Sequence, residues 1–130
     1  MHSTTIAVDL AKSVFQVAGA DGEWRVLSRR RPTRAQLVRF FGERQACRVV
    51  MEACGTAHHW GRWLQSRGFV VTLLPPQYVR AYVRRSKTDR SDADALLEAA
   101  RCWELPTVPV KSEEQQGGQS RMLEGKSNEP

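Results

Sequence analysis

Apolar residues recur along this chain in two rhythms, and the points where one gives way to the other mark its elements. Thr5 to Leu10 is a short β-branched run that closes on an acid, and Val14 to Ala20 is a second run, with Lys12-Ser13 to turn the chain between them. Asp21-Gly22 is a hairpin signal, and Trp24 to Ser28 follows as a third strand. Three strands joined by short turns predict an antiparallel meander. Pro32-Thr33 then opens a helical pattern with apolar residues at Leu37, Val38, Phe40 and Phe41. Cys47 to Ala53 reads as a buried strand, with Val49-Val50-Met51 followed at once by Glu52. Gly55-Thr56 starts a second helix carrying Trp60, Trp63 and Leu64 as core, Arg67-Gly68 ends it, and Phe69 to Leu74 is a further apolar strand. A strand–helix–strand unit of this length implies parallel neighbours buried on both faces.

Pro75-Pro76 stops that strand; a short helix over Gln77 to Arg84, a basic link and a stronger helix from about Ser91 to Trp103 follow. The pattern predicts an α/β fold with a mixed central sheet, antiparallel meander first and parallel strands after, flanked by helices. In such a sheet a site is expected at the carboxyl ends of the central strands. From Lys111 the composition turns to Gly, Gln, Ser, Glu and Lys. The expected organisation is one domain over residues 1–110 and a disordered or truncated polar tail over 111–130.

Composition alters this picture in two respects. Lys and Arg outnumber Asp and Glu by 20 to 14, giving a net charge of +6 and pointing to a polyanionic partner. The 3 Cys residues, Cys47, Cys54 and Cys102, form no Cys-x-x-Cys pair, so they argue against a disulfide framework or zinc knuckle and fit buried thiols in a reducing cytoplasm. No apolar run is long enough to span a bilayer and no signal peptide is visible, so a cytoplasmic protein without membrane association is expected.

The acids carry the candidate chemistry. Strand alternation puts Thr5, Ala7 and Asp9 on one face, which leaves an acid at the end of an inner apolar strand. Glu52 repeats the arrangement after Val49-Val50-Met51. Either acid alone would also mark a strand reaching solvent. In Lys87-Thr88-Asp89-Arg90-Ser91-Asp92-Ala93-Asp94, helical spacing sets Asp89 and Asp92 in or beside the stripe of Ala93, Leu96, Leu97 and Ala100, and Asp94 on the opposite face near Glu98. Helix capping and the macrodipole are the alternative account of these aspartates. Four inward carboxylates need a counter-charge. Hard divalent cations with oxygen ligands, Mg²⁺ or Mn²⁺, would supply it, and a pair of them about 4 Å apart suits phosphodiester exchange.

Ile6-Ala7-Val8-Asp9-Leu10-Ala11-Lys12 with Val14-Phe15, Met51-Glu52-Ala53-Cys54-Gly55, Leu74-Pro75-Pro76-Gln77-Tyr78-Val79, and Lys87-Thr88-Asp89 with Asp92-Ala93 together resemble the DEDD transposases of the insertion-sequence-110 and Piv invertase type. The resemblance covers about residues 4 to 110. It implies a ribonuclease H-like (RuvC-like) fold whose catalytic, metal-binding tetrad is Asp9, Glu52, Asp89 and Asp92. It also implies DNA transposition or site-specific recombination by a multi-subunit complex, guided in some members by a structured RNA. Members of the family continue into a second domain that supplies a nucleophilic serine. This chain lacks that match, so a truncated copy unable to complete recombination alone is expected, and Ser120 and Ser127 are not candidates for the nucleophile.

Two basic clusters remain. Arg80, Arg84, Arg85, Lys87 and Arg90 lead into the acidic helix and read as phosphate contacts beside the metals. For Arg29-Arg30-Arg31 with Arg34, nucleic-acid contact and a solvated face are equally good readings. Tyr78 and Tyr82 read as packing residues, and His58-His59 as structural, since neighbours on a helix diverge too far to share an ion. No Gly-rich phosphate loop is present and no nucleotide cofactor is expected. The competing functions are a metal-dependent transposase domain, a non-catalytic module that binds DNA or guide RNA, and a stand-alone junction nuclease.

Overall fold

The computed structural model describes residues 4–10, 15–85, 92–102 and 108–119. They form a five-stranded sheet in the order β3-β2-β1-β4-β5, with β1 (Thr5–Asp9), β2 (Gln16–Ala20), β3 (Val26–Arg30), β4 (Arg48–Glu52) and β5 (Val70–Leu74). The first three strands pair antiparallel, while β4 runs parallel to β1 and β5 to β4. This is the ribonuclease H-like arrangement, mixed sheet and flanking helices included.

Side-chain alternation gives the sheet a core on each face. Ile6, Val8, Val17, Val49, Met51 and Leu73 point to one side and pack with Leu37 and Phe41 of α1 (Arg34–Gly42) and Trp60 and Leu64 of α2 (Gly55–Ser66). Ala7, Ala18, Val50 and Leu74 point to the other and meet Val79 of α3 (Pro76–Arg85) and Ala93, Leu96 and Leu97 of α4 (Asp92–Cys102). The small residues of β1 and β2 let α4 lie close over them. Helix ends follow local chemistry. Thr33 and Gln36 form a reciprocal capping box at the start of α1. Gly68, at φ 91°, closes α2 as the Phe69 N–H donates to Leu64 O and the Gly68 N–H to Gln65 O.

Three elements differ from expectation. The third strand starts at Val26, two residues late, because the Asp21 carboxylate accepts from the N–H groups of Glu23 and Arg25 and holds Trp24 at φ 66°. The turn therefore consumes residues a two-residue hairpin would have left to the strand. A register shift opposite Gly19 and Ala20 then brings Val26 back to the inner face. Thiols expected to be buried are not: Cys54 and Cys102 are exposed, and Cys47 is half-buried.

The polar segment from Lys111, expected to be a disordered or truncated tail, is described as far as residue 119. Val108 bridges to Leu73 on the outer edge of β5, Val110 packs on Gly61, and α5 (Glu113–Gln119) follows. Polar groups fasten this strap to α2. The Lys111 N–H donates to His58 Nδ1 at 3.0 Å, Arg62 donates to Lys111 O at 2.9 Å, and the Gln116 amide donates to Gly55 O at 3.1 Å. His58 is thus a structural residue.

Candidate functional site

β1 and β4 are parallel neighbours, so their carboxyl ends open at the same edge of the sheet. Their last paired register is Ala7 opposite Val50, and each strand's acid, Asp9 and Glu52, stands two residues beyond it. Both acids share a face with Ala7 and Val50, the face that α4 covers. Asp92 is the first residue of α4, close enough to Asp9 to act on its ionisation.

The electrostatics record this crowding. Burial pushes Asp9 up to about 6, helped by the like charge of Asp92, the hydrogen bond to it, and the charge of Glu52. Burial also raises Glu52; Arg80 of α3 opposes the rise and Asp92 adds to it. Three acids from three elements are therefore within electrostatic reach of one another, with Arg80 beside them. The chemistry of the donor set is wholly oxygen, as a hard divalent cation requires. Among the described residues, however, no three His, Cys, Asp or Glu side chains are arranged to hold a metal ion. Asp89, Lys87 and Arg90 lie outside the described residues, as do the side chains of Arg84 and Arg85.

Two further residues set the position of Asp92, and the sequence pattern did not point to them. Gln16 is the β2 residue paired with Asp9, and its Oε1 accepts from the Asp92 backbone N–H at 3.0 Å. The start of α4 is thereby tied to the strand next to Asp9. Asp94 corrects the helical-wheel reading that put it on an outer face. It is only 5% exposed, and Arg29 of β3 grips it with Nε at 3.1 and 3.0 Å from the two carboxylate oxygens and Nη2 at 2.8 Å from Oδ2. The wheel fails here because α4 crosses β1 and β2 with its N-terminal turns covered on more than one side: Ala93 to Leu97 are all buried. Arg29 is accordingly a structural partner of α4. Arg34, grouped with it in the sequence, lies over the Trp60 ring.

A mixed sheet with acids at the carboxyl ends of its central strands and a third acid on the covering helix defines a ribonuclease H-like domain with a carboxylate site. A family model of the insertion-sequence-110 DEDD transposases, described as transposase, matches residues 6–123. The chain is 48% identical over 120 residues to a probable family 20 transposase of Pseudomonas aeruginosa, covering 92% of this chain and 36% of that protein. It is 43% identical over 115 residues to the transposase for insertion sequence element IS1111A of Coxiella burnetii, covering 88% of this chain and 32% of that one. The chain belongs to the DEDD transposase family of this type. It spans about a third of the length of these curated relatives. Among the described residues no helix is long and apolar enough to cross a membrane.

Proposed function

We propose that this chain is the RuvC-like catalytic domain of a DNA transposase, with Asp9, Glu52, Asp89 and Asp92 holding Mg²⁺ or Mn²⁺ for phosphoryl transfer on DNA. The observation that carries the reading is the convergence of Asp9, Glu52 and Asp92 from β1, β4 and α4, with Asp9 held well above the ordinary carboxylate range. Such crowding costs stability unless a cation relieves it. Divalent metal, when bound, would stabilise charge on the phosphoryl oxygens and on the attacking and leaving oxygens.

The chain's own residues have separable tasks. Glu52 and Asp9 present oxygen donors from adjacent strand ends. Gln16 and the Arg29–Asp94 pair hold α4 so that Asp92 completes the set from above. Arg80, close enough to lower Glu52's affinity for a proton, offers a guanidinium to a DNA phosphate entering the site. Arg84, Arg85, Lys87 and Arg90 extend that contact along the backbone. Within the whole protein, the partners would be DNA, a structured guide RNA and further copies of the chain.

The test is nicking of plasmid and branched DNA by the purified chain with Mg²⁺ or Mn²⁺. Asp9→Asn and Asp92→Asn are expected to reduce nicking on the order of a hundredfold or more, as loss of several kcal/mol of metal-borne stabilisation requires, while DNA affinity stays near wild type. The chain's excess of Lys and Arg, 20 against 14 Asp and Glu, would also serve a second reading, a non-catalytic module binding DNA or guide RNA. Unchanged nicking in both variants, or none in the wild type under any divalent ion, would sink the catalytic reading.

A further inference from the structure

An open cleft of about 860 Å³ lies away from the carboxylates, between the end of β3 and α1. Its lining includes Arg30, Arg31, Arg39 and Arg44, with Glu43 as the one carboxylate, so the walls carry three net positive charges. Phe40 also lines it, with the Arg44 guanidinium 4.2 Å and the Arg30 guanidinium 5.5 Å from its ring centroid. These contacts hold the two cations in place without neutralising them. Arg44 Nε is buried, and no acceptor reaches it among the described residues. Arg31 and Arg39 are exposed, and neither forms an ion pair among the described residues.

We propose that this cleft is a second nucleic-acid contact that grips a phosphate backbone on the sheet face opposite the carboxylates. The inference rests on the nucleic-acid reading above and extends it to a surface that reading does not use. Dimensions agree with it. The 9-residue α1 that forms one wall is about 13 Å long, and a strand of duplex DNA presents a phosphate about every 3.4 Å along its axis. Some four phosphates would therefore lie beside four arginines. With the aromatic face already taken by guanidiniums, the cleft offers charge and planar donors to the backbone, with no free ring for a base, so its grip is sequence-independent.

The shared chemistry, a polynucleotide backbone, could come from DNA or from RNA, and the experiment carries both. Binding of a 20-base-pair DNA duplex and of an RNA hairpin of equal length is followed by fluorescence anisotropy across a salt series. EDTA is present so that no metal site contributes. Arg31→Ala/Arg39→Ala is expected to bind at least about tenfold more weakly near 100 mM salt, with the log–log salt slope reduced by about two. Arg25→Ala/Arg101→Ala removes the same charge outside the cleft and should change affinity less than about twofold. The polymer that loses more affinity on changing the cleft is the one it serves.

Equal binding by the cleft variant and the control, or no binding of either polymer by the wild type, overturns the proposal. Metal-dependent nicking, measured separately, reports on the catalytic reading. Nicking sensitive to Asp9→Asn with cleft-independent binding would discard the cleft alone. Cleft-dependent binding without nicking would keep the cleft and discard the catalysis.

Discussion

Asp94 shows how one side chain is decided by its partner. A carboxylate in the first turn of a helix ordinarily faces solvent, yet this one is buried, because a planar fork from a neighbouring strand meets both of its oxygens. The pair is asymmetric: Asp94's side chain is 4% exposed and Arg29's 60%. Water therefore screens the arginine end, and the energetic weight lies in keeping a buried carboxylate hydrogen-bonded. Arg29→Ala is expected to destabilise the chain by about 1–3 kcal/mol, the cost of leaving such a group short of donors. Arg29→Lys should restore less than half of the loss, because an ammonium cannot reproduce the fork. Urea denaturation of the two variants against wild type gives both values. If Arg29→Ala leaves the midpoint unmoved, the pair is not what holds α4.

At the scale of elements, the strap over 108–119 is the part most open to conditions. His58 accepts the Lys111 N–H through Nδ1, which it can do only while that nitrogen is unprotonated. Burial, with Lys111 and Arg62 nearby, lowers its pKa from the ordinary 6.5. A base lowered in the folded state contributes stability that is present above 6.5 and is lost as pH falls through its folded value. Amide exchange in 108–119 should accelerate at about pH 5.5 relative to pH 7.5, beyond the intrinsic pH effect, while the central strands stay protected. In His58→Asn, whose side-chain oxygen can accept without titrating, that excess should vanish. An equal excess in the variant would remove His58 as its cause.

The same elements show what could be read in advance. Runs such as Val49-Val50-Met51 and Phe69 to Leu74 announce strands because both faces are covered, so the succession of elements and the mixed sheet were legible. Asp9 and Glu52 stood out because an acid ending an apolar run is costly there. The strap was not legible: it is held by two valines and by side chains bonding to backbone groups far away in sequence, which composition does not register. Asp94 and Gln16 escaped for a related reason. Periodicity assigns a residue to a face of its own element, and only the crossing of α4 over β1 and β2 decides which faces are covered.

For the whole molecule, gathering acids at one end of the sheet opposes stability. Asp9's folded value of about 6 lies above the ordinary 3.8. Below 3.8 the carboxyl is protonated in folded and unfolded chains alike; as pH rises through 6 the native state resists ionisation, so stability falls between these limits. Without divalent metal, Asp9→Asn should therefore melt higher than wild type near pH 7, and the gap should close near pH 4. Added Mg²⁺ should raise the wild-type melting temperature more than the variant's, since a ligand of the native state stabilises in proportion to its binding. A wild type that melts above the variant at pH 7 without metal would contradict the charge account.

The bridge from Val108 to Leu73 has one more consequence. A sheet of five strands exposes two rows of backbone donors and acceptors, and either can template association with another chain. Along β5 that row is partly occupied by the chain's own Val108. Along β3 the register shift interrupts it, and Arg29 and Arg30 charge its far end. Loss of the strap would thus leave β5 as a bare edge flanked by apolar residues, so concentrated samples kept in mild acid should form strand-paired aggregates before the core itself unfolds.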